Sequence, residues 1–300
     1  MVNPNGDNLI FLISQPRSGS TLLQRILAGS PDIHTCSEPW IMLPMLAPFS
    51  DDPGPRVYDL DLTKTAIHEF CGEDAYCQAM ATAAAKLYSS RLNGSGKTRF
   101  LDKTPRYYEI ANRLRTTFPH AKFITLYRNP LSVLASILST WVWEDLERLP
   151  GFNRDLMHAP KVLTQPYNSG AVVHYERLIA HPDSVVRYLC FYLGVEYDPQ
   201  MLQYGSRAKP AGTFGDHKVN DFTAPVATPL ETWKRVLAEP DRWVLARAYL
   251  LSLGERTLEL LGYPQARLLR DLDAIRPAGF NADARLLELA PITEAAFKTT

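Results

Sequence analysis

The sequence predicts an α/β protein built on a single doubly wound parallel sheet with helices on both faces, and three observations predict it. Residues 9–13, LIFLI, form a continuous apolar run, the pattern of a strand buried on both faces. Further strand-like runs alternate with segments of helical spacing, the rhythm of parallel strands joined by crossover helices. The first run stops at Gln15, Pro16, Arg17, Ser18 and Gly19 and passes straight into a helical pattern, the strand, loop and helix at which such sheets hold ligands.

The elements follow in order. STLLQRILAG places Leu22, Leu23, Ile26 and Leu27 on one helical face, with Gly29 as its stop. AYCQAMATAAAKLYSSRL predicts a long helix, TRFLDKTP a short strand entering a turn, and RYYEIANRLRTTF a second helix ended by Pro119. KFITLYRNP reads as a strand halted by Asn-Pro, with LSVLASILSTWVW as the helix after it. GAVVHYERL followed by SVVRYLCFYLG repeats the unit. Residues 44–62 and 198–230 lack periodicity and are expected to be long functional loops. The chain is expected to be one domain over residues 1–300, with an amphipathic C-terminal extension from about residue 265.

Composition narrows the function classes. The chain has 300 residues, 46% of them hydrophobic, and its 32 basic residues balance 32 acidic ones. No global positive field points to nucleic acid or an anionic membrane, so any anion site must be local. The apolar N-terminal run is too short for a signal peptide, and no stretch reaches the roughly 18 residues of a membrane helix, so a cytoplasmic protein with no membrane insertion is expected. Met1, three residues before Pro4, is the start expected of a free-standing chain. Cys36, Cys71, Cys77 and Cys190 form no CxxC pair and are expected to be buried free thiols, with no metal site.

The loop SQPRSGSTLLQ, residues 14–24, has the glycine and hydroxyl residues of a phosphate-binding loop. It lacks both the first glycine and the lysine of the triphosphatase pattern GxxxxGK[ST]. Ser18, Gly19, Ser20 and Thr21 open a helix, where backbone N–H groups without intrahelical partners can point at an anion. The ordinary alternative is a capped helix, with Ser18 or Ser20 as N-cap only. A later strand, FITLY, ends in Arg128, where a magnesium-dependent NTPase often has an acidic residue nearby. A cation there repels a divalent metal and attracts a second phosphate, unless Arg128 is only a surface residue. Two anion sites with no metal between them fit a nucleotide with phosphate at both ends.

At these residues the chain resembles sulfotransferases that use 3′-phosphoadenosine 5′-phosphosulfate (PAPS), in particular the bacterial PRSGS type and the protein-tyrosine and Golgi types. The resemblance rests on PRSGST at the first loop, on Arg128 and Ser136 in RNPLSVLAS, and on YERLIAHPDSVVRYLCFYLG. It implies a P-loop nucleotide-kinase-like sheet. It further implies that Arg17, Ser18, Gly19, Ser20 and Thr21 grip the 5′-phosphosulfate, and that Arg128 and Ser136 bind the 3′-phosphate. The family's catalytic glutamate corresponds to Glu38 in CSEPW, 21 residues beyond Arg17. Lys103 in LDKTP matches a family lysine near the sulfonate, a surface lysine being the alternative. His217 and Lys218 in GTFGDHKVN resemble a cytosolic-type GxxGxWK loop with His for Trp, where Lys218 would bind nucleotide and His217 would be a second base. The chain departs from that cytosolic pattern at Pro210, Ala211 and Gly212, which stand where RKG is usual.

Sulfonate transfer needs positioning, removal of the acceptor proton and stabilisation of the departing phosphate. Arg17 suits the last role, because its planar donors can span phosphate and sulfonate oxygens together. Glu38 suits proton removal if burial raises its pKa, the ordinary alternative being a glutamate that caps or pairs at a strand end. Trp141 and Trp143 are candidate acceptor-pocket residues, with core packing expected of one of them, and Tyr107 and Tyr108 face either a cleft or the core. Residues 44–62 and 144–168 are expected to shape the acceptor pocket. The expected reaction moves the PAPS sulfonate to a hydroxyl, or an amine, of a small-molecule or carrier-bound acceptor, without metal or nucleic acid. A small-molecule or nucleotide kinase of similar topology, and a catalytically silent nucleotide- or sulfate-binding scaffold, are the alternatives.

Overall fold

The computed structural model describes residues 1–49, 59–166, 169–206, 214–215, 221–226 and 230–298. Five parallel strands form one sheet: β1 (Leu9–Ser14), β2 (Ile33–Thr35), β3 (Arg99–Lys103), β4 (Lys122–Tyr127) and β5 (Ala171–His174), in the order β2-β3-β1-β4-β5. The doubly wound expectation holds, because every residue of β1 is buried and its side chains serve two cores in alternation. Leu9, Phe11 and Ile13 face one core; Ile10 and Leu12 face the other. The first core includes residues of helices Glu73–Leu92, Pro130–Trp141 and Pro240–Leu253, and the second includes residues of Ser20–Leu27 and Pro182–Leu193. Phe11 anchors the first core, stacked on Phe123 at 5.3 Å and beside Phe118 at 5.5 Å.

Several local expectations are corrected. Ile33–Thr35, for which the sequence pattern predicts no strand, is an edge strand registered on β3. The helix expected over residues 106–118 is a 3₁₀ segment, Pro105–Ile110, followed by a short helix, Ala111–Thr117. Here the tertiary contacts of Tyr107 and Tyr108 override helical spacing. Residues 44–62 hold the end of a short helix, Met42–Leu46, and the start of Leu60–Phe70, whose Asp59 caps it by accepting from the Leu62 N–H at 2.9 Å. The tail forms helices Gln265–Asp273, Ala282–Glu288 and Ala290–Ala296, the last two separated at Leu289, just ahead of Pro291. All three pack back on Pro240–Leu253.

The four cysteines are free, and Cys71 is exposed rather than buried, because it ends the surface helix Leu60–Phe70. Among the described residues no helix is long and apolar enough to cross a membrane, and no group of three His, Cys, Asp or Glu side chains is placed to hold a metal ion.

Candidate functional site

The parallel sheet brings the segments that follow its strands to one edge, and those of the predicted residues that the structure describes meet there. After β1 the chain turns at Arg17, a non-glycine residue with φ 69°, and at Gly19, with φ 91°, which is the N-cap of Ser20–Leu27. No side chain caps this helix, which removes the alternative in which Ser18 or Ser20 serves only as N-cap. A Cβ at position 19 would stand 2.4 Å from the Tyr175 ring, so only glycine permits this approach. The Ser18 hydroxyl is fully buried and has no hydrogen-bond partner among the described residues. A buried hydroxyl without a partner beside a helix N-terminus is a place where an anion supplies the missing acceptor.

Arg17 connects this loop to the second predicted anion site. Its Nε donates to Ser136 Oγ at 3.0 Å, and Arg128 Nη1 donates to the Arg17 carbonyl at 2.8 Å. Arg128 also lies 4.4 Å from the centre of the Tyr175 ring, so it is a partnered charge rather than a free surface one. Ser136 and Arg128 line a cavity of about 350 Å³ together with Arg17, Gly19, Ser132 and Trp233. A second cavity, about 280 Å³, is lined by Arg17, Gly19, Thr21, Glu38, Trp40 and Arg106. Arg17 and Gly19 border both, and form the joint between them. A larger cavity of about 1470 Å³, between Pro240–Leu253 and the tail, contains none of these groups.

Glu38 and Lys103 form the charged centre beside the second cavity. Lys103 Nζ donates to Glu38 Oε1 at 2.6 Å and approaches Thr21 Oγ1 at 3.4 Å. The lysine is 0% exposed and the glutamate side chain 13%, so Lys103 is no surface lysine, and the strand-end pairing foreseen as an alternative for Glu38 lies within the site itself. The second carboxylate oxygen, Oε2, accepts from the Trp40 indole N–H at 3.1 Å. Trp40 has φ 60°, a strained backbone for a bulky residue.

Next to Lys103 on β3, buried Asp102 accepts from the hydroxyls of Tyr88 at 2.6 Å, Tyr107 at 3.0 Å and Thr104 at 2.8 Å. Burial pushes its carboxyl up to about 6, against the pull of these hydrogen bonds and of Lys103. Because the folded value lies above the ordinary one of 3.8, the associated stability is fully present below about pH 3.8 and is lost as pH rises through 6. Asp102→Asn keeps acceptors for the tyrosines and is therefore expected to flatten this part of the profile. Thermal melts at pH 4.5 and 7.5 check it: relative to wild type, the variant should gain about 2 kcal/mol between the two, because only the span from pH 4.5 to the folded value of about 6 contributes, at about 1.4 kcal/mol per pKa unit.

Of the aromatic candidates, Trp141 lines the second cavity, lies 5.2 Å from the Arg17 guanidinium and stacks on Phe152 at 5.1 Å. Trp143 does not belong to it: it is 51% exposed and covered by Arg242 at 3.8 Å. Tyr107 and Tyr108 face the core, with their hydroxyls on Asp102 and Asp155. His217, Lys218 and Pro210 to Gly212 lie outside the described residues. Their neighbours Phe214 and Gly215 reach the site: the Phe214 N–H and carbonyl both bond Ser37 Oγ at 2.7 Å. Trp40, Arg106 and Asp155 escaped the sequence reading. The one signal available was proximity, Trp40 two residues after Glu38 and Arg106 three after Lys103.

The description "Sulfotransferase family" belongs to a family model that matches residues 9–199. The nodulation protein NoeE of Sinorhizobium fredii is 30% identical over 285 residues, covering 86% of this chain and 66% of that protein. Protein-tyrosine sulfotransferase 1 of Danio rerio is 25% identical over 229 residues, covering 74% and 63%. The chain thus spans slightly less than two thirds of the length of these relatives. Among solved structures, the sulfotransferase domain from the curacin biosynthetic pathway superposes with a TM-score of 0.53 at 23% identity, covering 85% of this chain and 97% of that one. The sulfotransferase domain of the Synechococcus PCC 7002 olefin synthase gives 0.54 at 23%, covering 78% and 89%. With a match over most of its length, running through the phosphate loop, Glu38, Lys103 and Arg128, the chain belongs to the sulfotransferase family.

Proposed function

We propose that the protein transfers the sulfonate of PAPS to a hydroxyl, or less readily an amine, of a small-molecule or carrier-bound acceptor. The observation that carries this reading is the position of Arg17, which borders a cavity equipped for phosphate on one side and the Glu38–Lys103 pair on the other. The residues fit such a donor. The Ser18 hydroxyl and the N-terminus of Ser20–Leu27 would hold the 5′ end, Arg128, Ser132 and Ser136 the 3′-phosphate, and Tyr204 and Trp233 supply aromatic walls for a base. When bound, PAPS supplies an activated sulfonate on a phosphate leaving group.

The chain's own groups then divide the work. Arg17, fixed by Ser136 and by the Trp141 face, presents its guanidinium where negative charge grows on the leaving phosphate. Glu38, its two oxygens oriented by Lys103 and Trp40, accepts the proton of the acceptor hydroxyl. Lys103, aimed at Glu38 and Thr21, brings a buried positive charge to the helix start that faces the sulfonate. The walls of Trp40, Trp141 and Phe214 exclude water around the reacting atoms.

A kinase reading fits less well. Asp102, on β3, is enclosed by hydroxyl groups in the core, and Glu38, the carboxylate that shares a cavity with the loop, is paired with Lys103.

Calorimetric titration with 3′,5′-adenosine bisphosphate in EDTA, beside magnesium-ATP, tests the reading. The bisphosphate is expected to bind alone. Arg128→Ala is expected to weaken it by about 10- to 100-fold, as loss of a charge-assisted contact worth about 1.5–3 kcal/mol requires. A preference for magnesium-ATP returns the kinase to the front. Bisphosphate binding without turnover on any acceptor supports the silent scaffold.

A further inference from the structure

Asp155 belongs to none of the motifs, yet its polar contacts converge on the site. Its buried carboxylate takes a two-point salt bridge from Arg106, Nε to Oδ1 at 3.1 Å and Nη2 to Oδ2 at 2.7 Å, and a hydrogen bond from the Tyr108 hydroxyl at 2.9 Å. Its backbone carbonyl accepts from Gln15 Nε2 at 2.8 Å, and Gln15 opens the phosphate loop. It stands in a π-helical turn, Arg154–His158, a rare irregularity that recurs at functional sites.

From Asp155 the contacts run on to the base. Arg106 lines the second cavity with its guanidinium 5.8 Å from the centre of the Trp40 ring, and the Trp40 indole N–H holds Glu38 Oε2. Lys103 closes the circuit from Glu38 to Thr21, on the helix that the loop begins. Trp40 and Arg17 are the non-glycine residues with positive φ among those described, and both border this cavity. Such backbone strain persists only where the surroundings over-determine it, and the Arg106 and Glu38 contacts on either side of Trp40 do so.

We propose that Asp155 is a positioning residue that fixes the spacing between the phosphate loop and the Glu38 carboxylate. Its carbonyl holds the loop through Gln15, and its carboxylate holds Glu38 through Arg106 and Trp40. Glu38 as base comes from the proposed function, so the test reads position rather than turnover and the two readings fail separately. The bidentate geometry makes the path directional: turning Arg106 out of the plane of Asp155 turns it away from the indole.

The experiment is fluorine NMR of the full chain labelled with 5-fluorotryptophan. Five resonances are expected from the five tryptophans, and the one lost in Trp40→Phe is assigned to Trp40. That resonance should move in Glu38→Gln and also in Asp155→Asn, which alters the carboxylate that reaches Trp40 through Arg106. In an Arg106→Gln background, Asp155→Asn should add no further displacement, as a path in series requires. The partly exposed Arg106 provides the fallback if Asp155→Asn fails to fold, since Arg106→Gln alone should displace the Trp40 resonance. A Trp40 resonance unmoved in Asp155→Asn, or a displacement that persists undiminished in the Arg106→Gln background, overturns the proposal. Bisphosphate titration of the wild type reports independently on the donor reading.

Discussion

Glu38→Gln is expected to lower turnover by about 10²- to 10⁴-fold, the usual share of a positioned base, while the bisphosphate affinity stays as it was. The amide keeps the shape of the carboxylate and can still accept from Lys103 or Trp40, but it cannot take a proton. Arg128 and Ser136, the groups proposed to hold the nucleotide's 3′-phosphate, line the cavity on the other side of Arg17 and are untouched. A second effect accompanies the first. Lys103 is fully enclosed, and breaking a buried ion pair by neutralising one partner costs about 3–5 kcal/mol, so the variant should also melt earlier. Single-turnover assays with radiolabelled donor, run well below the melting transition, separate the two. A variant that binds and turns over like wild type removes Glu38 from the chemistry.

Arg17→Ala is expected to cost about 10²- to 10³-fold in kcat, comparable to the loss of a donor that acts on transition-state charge. The loss is larger than for an exposed arginine because three fixed relations disappear together: the bond to Ser136, the stack on Trp141 and the positive charge shared by both cavities. Arg17→Lys restores charge without the planar fork, and should recover only part of the rate. Comparing kcat with bisphosphate affinity decides the role. A fall in affinity equal to the fall in kcat/KM, with kcat intact, would make Arg17 a ground-state contact alone.

The parts of this molecule legible in the sequence are those set by local pattern. LIFLI declared a strand buried on both faces because no position in it carries a polar residue, and the sheet places it between two neighbours. The PRSGST loop marked the turn into a helix through its glycine and hydroxyl residues, and Arg128, at the end of its strand, bonds the Arg17 carbonyl of that loop. What stayed hidden depends on contacts between distant segments. Ile33–Thr35 is too short to show alternation and becomes a strand only by lying along β3. The 3₁₀ turn at Pro105–Ile110 follows from hydroxyls seeking Asp102 and Asp155, partners no spacing rule reveals. Trp40 and Arg106 sit beside recognised motifs, yet their value comes from Asp155, some 49 residues beyond Arg106.

The pairing of β1 has a consequence in time. Its two neighbours are β3 and β4, with Ile10 opposite Leu101 on one side and Lys122 on the other. No nearby hairpin can shelter it, because the first partner strand begins about ninety residues later and the second more than a hundred. At a synthesis rate of about 5–20 residues per second, the strand waits roughly 6–20 s for its second neighbour. The most apolar segment of the sheet is therefore among the earliest made and waits longest for its second neighbour, and the phosphate loop that follows it takes its final shape only once Asp155, which holds Gln15, and Tyr175, which packs on Gly19, have been made.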